Sequence, residues 1–551
     1  MKGEEAIARI LKLEGIEFVT CFPLAPITNA CDEVGIRNIM ARSERVAINM
    51  ADAYSRVSNG RKIGVATVQE SAGIENSFSA IAHAYSDSSP ILVITGGINR
   101  EGIGLKVFDA VKNYQYITKF SERINLAKRS SEIMRRAFHN LKNGKPSPVL
   151  VELPSDVAGE DLGEFDYDYD YNPTKRFLSM ANQEDVEKVV RALLDSKFPL
   201  IYVGEGVFYA DACKELLDFI ELLKAPVITT MKGKSAFPED HPLSVGFIVG
   251  RPVAYFLGKA DLILAIGSSL SVDKKFMNYA LPPSKNIIQV TNDISDVDKY
   301  QRVDYALIGD AKVILTQLIK EVQRQGKFRD SKKIQEELER VKEEWIKEWI
   351  PYFTSNEVPI NPYRVLWDFM HTVDRRNTIV THDSGNPRDQ ISSFYQAIIP
   401  RGYLGWGDYW RGHTTTLGFS LGAAMGAKLA KPDRLVVNFM GDAAIGMVGM
   451  DLDTALREKI PILTIILNNS CFGGYSKRVP TTSKLLSHTI TNYSKVAEGL
   501  GWYSERIEKP DEIIPALKRG MREVENGKPA LLEFITKEFP IYPTWNYTSY
   551  W

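Results

Sequence analysis

Cysteine is scarce: the 551 residues hold four, Cys21, Cys31, Cys213 and Cys471. Their spacing matches neither a disulfide scaffold nor a zinc cluster. Net charge is nearly absent as well, because 68 Lys and Arg against 69 Asp and Glu leave −1. That balance removes any overall electrostatic case for nucleic acid or an anionic membrane as a partner. No apolar run reaches transmembrane length and no signal-peptide pattern is present, so no membrane association and a cytoplasmic location are expected. What the chain does have is length, more than one core usually absorbs, and two or three domains are expected.

Apolar runs alternate with amphipathic stretches. Helices are predicted at 3–14, 44–57 and 75–86, and strands at 18–22, 63–67, 90–95 and 148–154. That order is a parallel α/β pattern over residues 1–160. An acidic, Tyr-rich linker follows at 160–171. Further strands are predicted at 199–203, 225–229, 260–267 and 286–291, ending near residue 320. The charged stretch 330–349 reads as a connecting helix that packs through Ile334, Leu338, Val341 and Trp345. A third unit begins at Asn361-Pro362.

The most informative stretch is 437–474. An apolar strand, 435–440, runs into Gly441-Asp442, and a second, 462–467, runs into Asn468-Asn469. Adjacent parallel strands would bring Asp442 and Asn469 together as oxygen ligands for a hard divalent cation such as Mg2+. The backbone carbonyl of Cys471 is the expected third protein ligand. Gly441, Ala443, Ala444 and Gly446 are small enough to let phosphate groups approach the start of a helix. A helix over 450–458 should follow. A diphosphate cofactor is the natural guest of such a site.

Two other segments stand out. In 39–60, Glu44 opens an amphipathic helix lined by Ala47, Ala51 and Ala53; in isolation it reads as an ordinary helix-start acid. In 411–430, Leu417 precedes a Gly/Ala-rich helix start.

Gly441-Asp442-Ala443 followed by Asn468-Asn469 resembles the thiamine diphosphate signature, with Ala443 in place of its last glycine. Ala41-Arg42-Ser43-Glu44 followed by Ala51-Asp52-Ala53-Tyr54-Ser55-Arg56 is similar to the pyrimidine-side motif of the same enzymes. The resemblance to the acetolactate synthase, pyruvate oxidase and 2-hydroxyacyl-CoA lyase group extends over nearly the whole chain. It implies three parallel-sheet α/β domains: a pyrimidine-binding domain at 1–160, a Rossmann-like central domain at 185–320, a helical linker at 321–358 and a diphosphate-binding domain at 359–535. Residues 536–551 form an aromatic tail, a candidate lid. It also implies roles. Glu44 would hydrogen-bond the pyrimidine ring, which promotes proton loss from the thiazolium. Leu417 would prop the coenzyme into its bent shape. Gln69 and His413 would work near the reacting carbon, and the site would lie between subunits of a homodimer or homotetramer.

The segments that choose the substrate depart from the pattern. Cys21-Phe22-Pro23-Leu24-Ala25 stands where Gly-Tyr-Pro-Gly-Gly is usual, and Val68-Gln69-Glu70-Ser71 opens an altered loop. Phe108-Asp109-Ala110 lacks the Gln associated with the acceptor ketoacid. In the central domain Gly204 and Asp293 are the candidate contacts for a nucleotide, which the resemblance leaves open as FAD, ADP or CoA. The implied activity is carbon–carbon bond formation or cleavage on a 2-ketoacid, acetolactate synthase-like, with 2-hydroxyacyl-CoA lyase or acyl-CoA decarboxylase as the alternative.

Overall fold

The computed structural model describes residues 1–102, 107–163, 171–271, 285–326, 329–407, 415–473 and 491–543. Three six-stranded sheets follow one another along the chain. The first contains β1 Phe18–Cys21, β2 Arg37–Met40, β3 Gly64–Val68, β4 Ile91–Gly97, β5 Phe120–Arg123 and β6 Val149–Pro154, in the order β2-β1-β3-β4-β6-β5. The second contains β7 Pro199–Val203, β8 Val227–Thr229, β9 Ser244–Phe247, β10 Leu262–Ile266, β11 Asn286–Thr291 and β12 Tyr305–Ile308, in the order β12-β11-β10-β7-β8-β9. The third contains β13 Thr378–His382, β14 Tyr403–Leu404, β15 Leu435–Gly441, β16 Leu463–Asn468, β17 Tyr503–Ile507 and β18 Ala530–Ile535, in the order β14-β13-β15-β16-β18-β17.

Every ladder between these strands is parallel. Strands covered on both faces must be apolar throughout, and β3, β4, β6, β7, β10 and β16 are buried at every residue. The reading from apolar runs finds none of the six edge strands. β5 shows why: each of its four residues is only half-buried.

Six helices place the site: α1 Glu44–Val57, α2 Phe78–Ser86, α3 Lys332–Phe353, α4 Asn386–Phe394, α5 Phe419–Ala430 and α6 Asp442–Val448. The helix expected at 75–86 is broken at Ser77, with Ala72–Asn76 forming a separate short helix. The helix expected at 450–458 starts later than predicted. Asp442 itself opens α6, and a 3-10 turn, Gly449–Asp451, leads into Leu452–Arg457. In α3, Leu338 and Val341 are buried as the stripe requires, and Trp345 stacks on Phe394 with ring centroids 5.2 Å apart.

The first and third sheet units meet through α1 and α5. Every residue of α1 except Arg45 is buried. Contact is close because α5 offers glycine at the crossing: a Cβ on Gly426 would lie 2.1 Å from the Met50 carbonyl oxygen, and one on Gly422 would lie 2.7 Å from Asn49 Cβ. Side chains there would hold the helices apart, so the small-residue stripe sets the spacing on which the site depends.

Candidate active site

The carboxyl ends of β13, β15 and β16 lie side by side, the position where open parallel sheets bind ligands. Gly441 at the end of β15 is in register with Leu467 of β16, so Asp442 and Asn469 leave neighbouring strands at the same edge. Asp442 is only 3% exposed, and its Oδ1 accepts the N–H of Ala443 at 2.8 Å. Ala444 is buried behind it. Asn469 is held in a local turn: its Oδ1 accepts the Cys471 N–H at 3.0 Å and its Nδ2 donates to the Gly473 carbonyl at 3.3 Å. Cys471 is buried beside it. The start of α4, shortly after β13, forms the facing wall, with the Pro387 ring 3.8 Å from where a Cβ on Gly441 would stand. Sequence reasoning did not find that wall. Its signals were Gly385, at φ 81°, and a proline in the first turn of α4.

Leu417 lies in the turn before α5 and is held from several sides. Its carbonyl accepts from Arg45 Nη2. The next residue, Gly418, adopts φ 85° and donates its N–H to Asp383 Oδ1 at 3.0 Å. Ser420 gives Asp383 Oδ2 both its N–H, at 3.1 Å, and its hydroxyl, at 2.8 Å. Asp383 is fully buried, and burial pushes its carboxyl up despite those donors. Nothing in the sequence marked Asp383.

Glu44 is 7% exposed at the first turn of α1, and no described residue hydrogen-bonds its carboxylate. Its Oε1 lies 3.6 Å from where a Cβ on Gly73 would stand, and Gln69 Cβ lies 3.1 Å from the same point. Glu44 and Gln69 thus flank one glycine. The Gln69 carbonyl accepts from the N–H of Ile74 at 3.0 Å, which shapes this loop. The N-terminus of α1 is fastened to the third sheet unit by Asp451, which accepts from the Arg42 N–H at 2.7 Å and the Ser43 hydroxyl at 3.1 Å. His413 lies outside the described residues.

Gly204 and Asp293 line a separate cleft of about 680 Å³ between the first and second sheet units. Gly204 is required by packing, because a Cβ there would lie 2.3 Å from the Gly267 carbonyl oxygen. Burial works against ionisation of Asp293, but the Ser295 hydroxyl and N–H outweigh it and hold the carboxyl low. Lys119, Lys145, Arg176, Lys232 and Lys299 also line the cleft.

Three family models match the chain in succession: the thiamine pyrophosphate enzyme N-terminal binding domain over residues 1–117, the central domain over 186–318 and the C-terminal binding domain over 383–534. The chain belongs to the thiamine pyrophosphate enzyme family. Among its relatives, a probable acetolactate synthase large subunit of Methanocaldococcus jannaschii is 31% identical, with 97% of this chain and 92% of the relative covered. The corresponding protein of Methanococcus aeolicus is 30% identical over the same shares. Glyoxylate carboligase of Escherichia coli O157:H7 is 28% identical, over 94% of this chain and 90% of its own length. No described helix of this thiamine pyrophosphate enzyme is long and apolar enough to cross a membrane.

The donors suit the coenzyme and its cation. Among the described residues no group of three His, Cys, Asp or Glu side chains is placed to hold a metal ion. A cation beside Asp442 would therefore rest on one carboxylate, an amide and a carbonyl, leaving positions for diphosphate oxygens, which is the oxygen-only set Mg2+ prefers. The buried Glu44 carboxylate likewise suits a donor supplied from outside the chain.

Proposed function

We propose that this protein is a Mg2+-dependent carboligase or lyase that forms or breaks a carbon–carbon bond of a 2-ketoacid, with acetolactate synthase as the nearest activity. The observation that carries this reading is the joint placement of Asp442 and Asn469 at neighbouring strand ends, beside the turn that carries Leu417. Bound thiamine diphosphate would supply an acidic carbon as the nucleophile and a thiazolium ring that takes up the electrons of the breaking bond. The chain's own residues hold and orient it. Asp442, Asn469 and the Cys471 carbonyl hold Mg2+, with Gly441, Ala443 and Ala444 against the diphosphate. Leu417 supports the bend, and Glu44 holds a proton at the pyrimidine nitrogen. Gln69, beside Glu44, and His413 are assigned to the substrate side.

The 2-ketoacid reading draws on the relatives, acetolactate synthases and a glyoxylate carboligase. The alternative reading is a 2-hydroxyacyl-CoA lyase, with ADP or CoA rather than FAD in the central cleft near Gly204 and Asp293; Lys and Arg side chains stand there beside Glu205, Asp296 and Asp310, and that mixed lining does not choose between them. A homodimer or homotetramer accords with the exposed apolar side chains Phe78, Met447, Met450 and Phe472 on the elements that flank the site, although Arg45 joins the Glu44 helix to the Leu417 turn within one chain. The lid reading of the tail is supported by its described part. Phe539 packs on Tyr352 with ring centroids 5.0 Å apart, and the Tyr542 hydroxyl donates to Asn386 at the start of α4. Residues 544–551 lie outside the described residues.

The test is a product screen with thiamine diphosphate and Mg2+ over pyruvate, other 2-ketoacids and 2-hydroxyacyl-CoAs, read by mass spectrometry. Acetolactate from pyruvate supports the first reading, and an aldehyde released from a 2-hydroxyacyl-CoA moves the assignment to the second. Consumption of none of these substrates overturns both.

A further inference from the structure

His83, in α2, is fully buried and belongs to none of the motifs described above. Its ring is fixed on every side. It stacks on Phe419 at 4.1 Å with an interplanar angle of 7°, and lies 4.7 Å from the Trp406 ring. Nδ1 is 2.9 Å from Thr416 Oγ1, within hydrogen-bond geometry, and Nε2 is 3.3 Å from Asp87 Oδ2, a charge contact without hydrogen-bond alignment. A carboxylate can only accept, so in the neutral imidazole the proton belongs on Nε2, and the bare Nδ1 accepts from the Thr416 hydroxyl.

Thr416 is the residue before Leu417. Arg45 and Asp383 secure Leu417 and the residues that follow it. Immediately before Leu417, at Thr415 and Thr416, the described side-chain hydrogen bond is the one to His83. Asp87 strengthens the clamp, because the same Oδ2 that faces His83 accepts the Gly407 N–H at 3.0 Å. Asp87 is in turn held by Arg56, whose Nη1 lies 3.4 Å away. Gly407 and Thr416 belong to the third sheet unit, whereas His83 and Asp87 lie one helical turn apart in the first. The chain ahead of the Leu417 turn is therefore tied at two points, Gly407 and Thr416, to one pair of buried side chains.

We propose that His83 is a positioning residue for the coenzyme: by fixing Thr416 it sets the place of Leu417, and Asp87 fixes His83. This rests on reading Leu417 as the support of the bent coenzyme. The alternative is that His83 merely fills the core, in which case removing the Thr416 hydroxyl at constant shape costs some stability and nothing else.

Thr416→Val removes the hydroxyl, and Thr416→Ser restores it. Binding of thiamine diphosphate with Mg2+ is followed by titration calorimetry, and amide hydrogen exchange over residues 415–421 is measured on the coenzyme-free protein. Thr416→Val should weaken coenzyme binding about five- to tenfold and speed exchange at Gly418 by a similar factor, the scale of one buried hydrogen bond. Thr416→Ser should stay within about twofold of wild type. His83→Phe should weaken binding to the same extent, and the double variant should be no worse than either single change, since one interaction is being removed twice. Unchanged exchange in Thr416→Val overturns the proposal whether or not coenzyme binds. So does multiplicative loss in the double variant. If wild type fails to bind thiamine diphosphate while the exchange result holds, it is the coenzyme role of Leu417 that fails and the clamp that stands.

Discussion

Arg45 donates a guanidinium N–H to the carbonyl of Leu417. The residue next to Glu44 therefore grips the turn that leads into α5, and the two parts of the candidate site are joined by a direct bond. Ser43 and Arg42, on the other side of Glu44, are fastened to Asp451. The first turn of α1 is thus anchored to the third sheet unit on both sides of its buried carboxylate, which restricts where that carboxylate can point.

Replacing Glu44 with Gln should lower turnover at least about a hundredfold, the usual weight of a positioned acid–base group. Circular dichroism and Tm should match wild type, since no described residue bonds the carboxylate. Turnover within tenfold of wild type would sink the assignment.

Asp442→Ala should abolish the Mg2+ dependence of thiamine diphosphate binding. Calorimetric titration with Mg2+ and with chelator would show it: wild type should lose affinity in chelator, and the variant should be weak in both. A variant that still responds to Mg2+ as wild type does would remove Asp442 from the metal site.

Gly426→Leu should destabilise the fold by about 1–3 kcal/mol or more, because an added side chain at a tight crossing forces the packed elements apart. The Met50 carbonyl, 2.1 Å from the first added carbon, is backbone and has little room to give. Urea unfolding measures the loss, and a midpoint equal to wild type would contradict the crossing described here.

Asp87 links stability to pH. Burial opposes its ionisation, but Lys232, His83 and Arg56 outweigh burial and hold the carboxyl well below the usual range. Its folded pKa is depressed, so the stabilisation is complete above about pH 4, the range of an unfolded aspartate. It is lost as pH falls toward the lower folded value. Asp87→Asn should cost about 3 kcal/mol at pH 7, and its deficit should shrink in acid below about pH 4. Urea unfolding of both proteins at neutral and acid pH decides this, and a deficit that stays constant or widens in acid contradicts it.

Deleting the last ten residues removes Tyr542 and its bond to Asn386. If the tail is a lid, KM or substrate preference should change while Tm holds. A change in Tm alone would assign the tail to packing.

Much of the candidate site was legible in the sequence because the chemistry proposed for it needs particular residue types at strand and helix ends. Asp442 and Asn469 follow apolar runs whose burial on both faces is plain in their composition, and Glu44 follows a serine that caps α1 by accepting the Val46 N–H. Asp383, Asp451 and His83 were not legible. An aspartate after a strand or a histidine in a helix has no distinctive spacing, and each acquires its role only from partners distant in the chain: Asp451 and His83 from another sheet unit, Asp383 from the turn before α5 in its own. Edge strands such as β2, whose four residues range from buried to exposed, escaped because one open side allows a mixed composition.

By itself the sequence determined the α/β character, the serial three-unit order and the residue types of a cation and diphosphate site, since local periodicity and strand-end motifs are written in consecutive residues. Only the tertiary structure decided that α1 lies against α5, that Arg45 and Asp383 hold the Leu417 turn, and that His83 and Asp87 tie it to the first sheet unit. Those relations depend on close approach between segments distant in the chain, which glycines permit and buried charges then lock.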